Sequence, residues 1–163
     1  MRVSFDLDNT LICYQVEVPR EPRLPWYLRL IAGDEPLRLG ARQLLSGLRD
    51  QGWEVWIYTT SYRSPTAVRR WLRCHGVVVT RVINQNIHNE QLAHLAAERR
   101  PSKNPAEFGI ALHVDDSEGV RIEGERHGFS VVIVAPEDDA WAEKVKRAAE
   151  RRVAKWQSRK VAE

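Results

Sequence analysis

Val3-Ser4-Phe5-Asp6-Leu7-Asp8-Asn9-Thr10-Leu11 opens the chain and decides its fold. Val3 and Phe5 alternate with Arg2 and Ser4, and then two acids arrive at Asp6 and Asp8. Such a stretch reads as a short buried strand running into a loop. Two carboxylates this close repel one another unless a cation or a partner sits between them.

Outward from this stretch, strand and helix signals alternate. Residues 12–18 are β-prone and stop at Pro19, which predicts a hairpin or flap beside the strand end. Residues 20–38 carry Pro22, Pro25, Gly33 and Pro36, an irregular connection with one helical turn over 26–31. Ala41, Leu44, Leu45 and Leu48 have helical spacing, and Gly52 follows as a stop. Residues 54–58 predict a second strand ending at Thr59-Thr60-Ser61. Ser64-Pro65 opens a helix that ends at Gly76. Further strands are predicted over 77–83, 111–114 and 130–134, and further helices from Asn89 to Arg99 and from Ser117 to Gly128. Trp141, Val145, Ala148, Ala149, Val153 and Trp156 mark one face of a long final helix.

Alternation of this kind predicts right-handed βαβ units and a parallel sheet covered on both faces. The expected fold is α/β: a three-layer α/β/α Rossmann-like arrangement around a five-stranded parallel sheet. At 163 residues the chain fits a single domain, 1–163, with a flap at 12–36 and a basic C-terminal helix at 138–163.

Bulk properties exclude several classes. No apolar run reaches the roughly 20 residues that span a bilayer, and no signal-peptide core follows the first strand, so a cytoplasmic location is expected. Cys13 and Cys74 lack metal-site spacing and read as two small buried hydrophobes. Residues 144–163 hold eight Lys/Arg against two Glu, a balance of +6 in a chain whose net charge is +3. The remainder is therefore negative, and a body-wide nucleic-acid footprint is not expected. The basic tail reads first as a solvated helix face. His75, His88, His94, His113 and His127 show no metal-ligand spacing, and His113 reads as a hydrogen-bonded core residue.

In open parallel sheets, ligands bind beyond the carboxyl ends of the strands. Three such ends carry Asp6-Leu7-Asp8, Thr59-Thr60-Ser61 and Asp115-Asp116. The acids suit a hard divalent cation, and Mg²⁺ prefers few carboxylates, several waters and a substrate phosphate. Thr59, or else Thr60 or Ser61, offers a hydroxyl and backbone N–H groups for phosphoryl oxygens. Lys103 is the only Lys before Lys144, in a stretch that uses Arg sixteen times. Its compact ammonium suits pairing with both a carboxylate and a phosphate oxygen.

Phe5-Asp6-Leu7-Asp8-Asn9-Thr10-Leu11 resembles the first motif of the haloacid dehalogenase superfamily. Thr59 after Val55-Trp56-Ile57-Tyr58 is similar to the second, Lys103 before Asn104-Pro105 to the third, and Val114-Asp115-Asp116-Ser117 to the fourth. The resemblance implies a haloacid dehalogenase-like phosphatase that forms an aspartyl-phosphate. It implies Asp6 as nucleophile and Asp8 as general acid/base, with Thr59 or Thr60 and Lys103 on the phosphoryl group. It implies Mg²⁺ held by Asp6, the main-chain carbonyl of Asp8, and Asp116, with Asp115 ligating or supporting. Neither 10–55 nor 61–115 is long enough for a cap domain, which leaves only the flap. In this family an open site goes with large or macromolecular phosphorylated substrates, or with closure by a partner subunit. Trp26, Tyr27, Tyr62 and Arg63 are candidates for its rim. The rival readings are a non-catalytic Mg²⁺/phosphate-binding regulatory module and a nucleic-acid end-processing phosphatase engaging the backbone through its basic final helix.

Overall fold

The computed structural model describes residues 1–15, 17–96 and 100–161. Its centre is a five-stranded sheet in the order β3-β2-β1-β4-β5. The strands are β1 (Arg2–Phe5), β2 (Glu54–Tyr58), β3 (Arg81–Ile83), β4 (Leu112–Asp115) and β5 (Val131–Ile133). Every pairing is parallel. The helices are α1 (Trp26–Ala32), α2 (Ala41–Asp50), α3 (Pro65–Cys74), α4 (Gln85–Gln91), α5 (Glu118–His127) and α6 (Trp141–Val161). The expected Rossmann-like α/β architecture is therefore the one observed.

β1 lies in the middle, so Val3 and Phe5 are fully buried. Leu44, Leu45 and Leu48 of α2, Val68, Trp71 and Leu72 of α3, and Trp141, Val145 and Ala149 of α6 join them in one core. Each buried aliphatic side chain contributes roughly 1.5–3 kcal/mol relative to an exposed one. The register is tied to this burial, because a one-residue slip would turn Val3 and Phe5 to the other face.

Several boundaries differ from the sequence reading. β3 begins at Arg81, not at 77, because residues 77–79 form the loop that leaves α3. Gly76 turns with φ 79°, Val77 N–H donates to the Leu72 carbonyl, and the ladder starts only when Thr80 N–H reaches the Val55 carbonyl at 2.8 Å. The cap of α4 lies five residues before the expected one: the Asn84 side chain accepts from Ile87 N–H at 3.1 Å, immediately after β3. It ends at Gln91, and Arg99, its expected end, lies outside the described residues. β4 is shifted by one residue, so Asp115 is its last member. β5 spans only Val131–Ile133.

The described residues of the flap pair with its returning leg. Ile12 bridges Leu37 and Arg20 bridges Arg38, so the returning leg supplies the pairing partner. Arg38 is 2% exposed. Its Nη2 donates to the carbonyls of Ala135, Pro136 and Asp138 at 2.7, 2.9 and 2.9 Å, and its guanidinium stacks on Trp141. This joins the flap to the start of α6. The buried face of α6 stops short of Trp156, which is 47% exposed with Lys160 over its ring. Cys13 and Cys74 are free thiols.

Candidate active site

β1 ends where Asp6 N–H donates to the Val114 carbonyl at 2.8 Å. The chain then closes a tight turn: Leu11 and Ile12 N–H both return to the Leu7 carbonyl at 3.0 and 2.8 Å. Asn9 sits in that turn at φ 58°, a left-handed conformation that Asn tolerates better than most residues. Phe5 pairs with Ile57 on one side and Val114 on the other. Asp6, Thr59 and Asp115 therefore leave three adjacent strands at the same edge.

Carboxylate oxygens of Asp6, Asp115 and Asp116 lie within 4.8 Å of one another. Lys103 Nζ enters this cluster from a separate loop, 2.6 Å from Asp6 Oδ1 and 2.5 Å from Asp115 Oδ2. Lys103 is 3% exposed. Burial works against its charge, but the Asp6 and Asp115 carboxylates outweigh it and hold its pKa above the usual lysine range. Burial raises the Asp6 carboxyl to about 6, against the pull of Lys103 and with the help of the Asp115 charge. Burial would raise Asp115 too, but a hydrogen bond with His113 and the Lys103 charge hold it below the ordinary carboxylate range. Asp116 is raised by burial and by Asp115 beside it.

The lysine loop reaches in because three unexpected residues hold it. Asn104 N–H donates to the Tyr58 hydroxyl at 2.9 Å, and that hydroxyl meets His88 Nδ1 at 2.5 Å. Glu123 of α5 accepts from Ser102 N–H and Oγ–H at 2.8 and 2.7 Å and from Lys103 N–H at 3.3 Å. Pattern reading had no signal for Glu123, which looks like any exposed helical acid.

Asp115 is fully occupied. Its Oδ2 meets Lys103 Nζ and His113 Nε2, the latter at 2.9 Å, and its Oδ1 accepts from Ser117 N–H at 2.9 Å. His113 is itself oriented by Ser4 Oγ at 2.8 Å from Nδ1, as a buried hydrogen-bonded histidine was expected to be. Asp6 Oδ1 is different. It is buried and meets the Lys103 ammonium at 2.6 Å, which leaves one of its two lone pairs for another partner inside the cluster. An all-oxygen donor set of three clustered carboxylates, one with a lone pair to spare, fits a hard cation such as Mg²⁺.

Asp8 stands apart from the carboxylate cluster. Arg63 Nη1 donates to both its oxygens at 2.9 and 2.8 Å, and the Tyr14 hydroxyl donates to its Oδ1 at 3.1 Å. Thr59 is 1% exposed, and its Oγ1 accepts from Ser61 N–H at 3.1 Å. Thr60 is exposed, while Ser61 Oγ is buried without a partner. Of the rim candidates, Arg63 joins the site, and Trp26, Tyr27 and Tyr62 are 68, 54 and 69% exposed.

A chain of the Pnkp1/Rnl/Hen1 complex superposes with a TM-score of 0.51 at 15% identity, over 81% of this chain and 45% of that one. A chain of the Pnkp1/Rnl/Hen1 RNA repair complex gives 0.48 at 17% identity, over 81% and 41%. A predicted HAD-like family hydrolase from Porphyromonas gingivalis gives 0.48 at 14%, over 91% and 97%. Of these three only the first exceeds 0.5, and at its identity it speaks for a common fold alone. This chain spans less than half the length of the two complex chains. No family model matches the sequence, and no curated protein matches it.

Proposed function

We propose that this protein is a Mg²⁺-dependent phosphatase that hydrolyses a phosphomonoester through an aspartyl-phosphate on Asp6. The observation that carries the reading is the insertion of Lys103 Nζ between Asp6 and Asp115, within a cluster completed by Asp116.

In this reading an Asp6 carboxylate oxygen attacks phosphorus, and the bond from phosphorus to the leaving oxygen breaks. Asp8 gives its proton to that oxygen. It then takes a proton from the water that attacks the aspartyl-phosphate, which releases inorganic phosphate and restores the Asp6 carboxylate. Lys103 balances charge between Asp6 and the phosphoryl oxygens. Thr59 supplies its hydroxyl or backbone N–H to those oxygens, and Thr60 adds a further N–H. Asp6, Asp116 and the Asp8 carbonyl would hold Mg²⁺, and Asp115 serves Lys103. When bound, the metal neutralises phosphate charge and polarises phosphorus.

Among the described residues no cap domain is inserted over the site, which favours a large or exposed phosphorylated substrate. No helix among the described residues is long and apolar enough to cross a membrane, and we place the protein in the cytoplasm. A nucleic-acid substrate gains little from the basic helix. Arg152, Lys155 and Arg159 line a groove with Met1 and Arg2, at the end of β1 away from Asp6.

Purified protein with Mg²⁺ should release 4-nitrophenolate from 4-nitrophenyl phosphate, and Asp6→Asn should abolish turnover. Turnover that survives Asp6→Asn would reject the mechanism. Mg²⁺ binding without turnover of any phosphomonoester would leave the regulatory module in its place.

A further inference from the structure

Arg63 is the centre of a second charge cluster, at the mouth of the site. Nη1 donates to both Asp8 oxygens. Nη2 donates to Glu35 Oε1 at 2.8 Å and to the Tyr14 hydroxyl at 2.9 Å. Tyr14 in turn shares its one proton between Asp8 Oδ1 at 3.1 Å and Glu35 Oε1 at 3.3 Å.

Both anchors of this cluster are fixed to the frame. The Arg63 carbonyl accepts from Asn84 Nδ2 at 3.2 Å. The Glu35 carbonyl accepts from Trp71 Nε1 at 3.1 Å, and Trp71 is 3% exposed in the core. Arg63 leaves the end of β2 and Glu35 closes the flap, so two distant segments meet at Asp8. An aspartate on a turn otherwise has three χ1 wells and a broad χ2 to sample. Here Asp8 is directed by the guanidinium, outside the Asp6–Asp115–Asp116 cluster.

We propose that Arg63, braced by Glu35, is a positioning residue that fixes the Asp8 carboxyl group for proton delivery to the leaving oxygen. This rests on the phosphatase reading. It makes the flap part of the acid/base machinery. A plain surface ion pair would contribute little to stability and nothing to the choice of leaving group. A positioning role instead predicts dependence on the leaving group. An alkoxide needs the proton as its bond to phosphorus breaks, and 4-nitrophenolate scarcely does.

The test compares wild type, Arg63→Met, Arg63→Lys and Glu35→Ala on 4-nitrophenyl phosphate and on an alkyl phosphate, with Asp6→Asn as the blank. Arg63→Met should lower kcat for the alkyl phosphate about tenfold more than for 4-nitrophenyl phosphate, with little change in KM. Arg63→Lys should recover part of the loss. Glu35→Ala, which keeps Arg63 and the backbone bond to Trp71, should shift the ratio the same way but less; it carries the test if Arg63→Met fails to fold. Equal losses on both substrates, or a raised KM with kcat intact, would overturn the inference and make Arg63 a structural or substrate-binding residue. A wild type inert toward both phosphates would reject the phosphatase reading itself, and this inference with it.

Discussion

Lys103 Nζ stands 2.6 Å from Asp6 Oδ1, both side chains being nearly inaccessible to water. A second carboxylate, Asp115, lies 2.5 Å from the same nitrogen. The ammonium is therefore a buried positive charge set among three clustered acids. Coulomb attraction at such distances is large, but so is the cost of removing three ions from water. Asp6, the member whose oxygen is least satisfied, carries that cost as a raised pKa.

Lys103→Met should therefore be strongly destabilising in metal-free protein at pH 7.5. It leaves Asp6 and Asp115 buried without a counter-charge, and breaking a buried pair costs about 3–5 kcal/mol. Protonation of Asp6 relieves part of this, so a loss of about 3 kcal/mol is expected. Urea denaturation measures it. A loss below about 1 kcal/mol would mean that the ammonium is not holding the cluster together.

Asp6→Asn should have the opposite sign. With its folded pKa raised from 3.8 to about 6, Asp6 contributes stability that is present below pH 3.8 and lost as pH rises through 6. Above that pH its ionised form costs about 2–3 kcal/mol in the metal-free protein. The amide removes this cost, so the variant should melt several degrees higher at pH 7.5 while losing all turnover. A variant that melts lower would show that the Lys103 contact outweighs the burial of the charge.

The parallel sheet and its helices were legible because the apolar spacing of Leu44, Leu45 and Leu48, and of Val68, Trp71 and Leu72, is itself the packing that folds them. Asp6, Thr59 and Asp115 were legible because each closes a strand, and parallel strands present their ends at one edge. What brings Lys103 to that edge was not. Its loop is held by Tyr58 and Glu123, contacts across the fold that leave no periodic trace. The sequence reading makes the Asp8 side chain the acid/base group and its main-chain carbonyl the metal ligand; that its side chain faces Arg63 and Tyr14 had no sequence signal. Glu35 sits among prolines in a connection whose path no local pattern sets. β3 is shorter than its β-prone stretch because Val77 is tied to the end of α3 and the ladder starts only at Thr80.

Stability should fall as the pH drops below about 6.5. Burial lowers the pKa of His75, His88 and His113, so each contributes stability that is present above the unfolded value of 6.5 and lost as pH falls toward the folded value. Each contributes up to about 1.4 kcal/mol per pH unit. Asp6 and Asp116, both raised by burial, oppose them, but they are two protons against three. Melting temperatures recorded without metal from pH 8 to pH 5 should therefore decline, and His88→Gln should flatten the decline. Melting temperatures that rise toward pH 5 would mean that the two acids dominate.

Mg²⁺ should raise the melting temperature of the wild type at pH 7.5, and EDTA should reverse the effect. A ligand at a hundred times its dissociation constant stabilises by about 2.7 kcal/mol, or about 5–10 °C in a chain of this size. Asp116→Asn should abolish the shift, since Asp116 supplies a carboxylate to the cluster that has no lysine or histidine contact of its own. Asp8→Asn should retain it, since the Asp8 side chain is engaged by Arg63 rather than by the cluster. A shift lost equally in Asp8→Asn would place the cation at the mouth of the site, between Asp8 and Glu35, and would dissolve the division between a metal-binding cluster and an acid/base carboxylate.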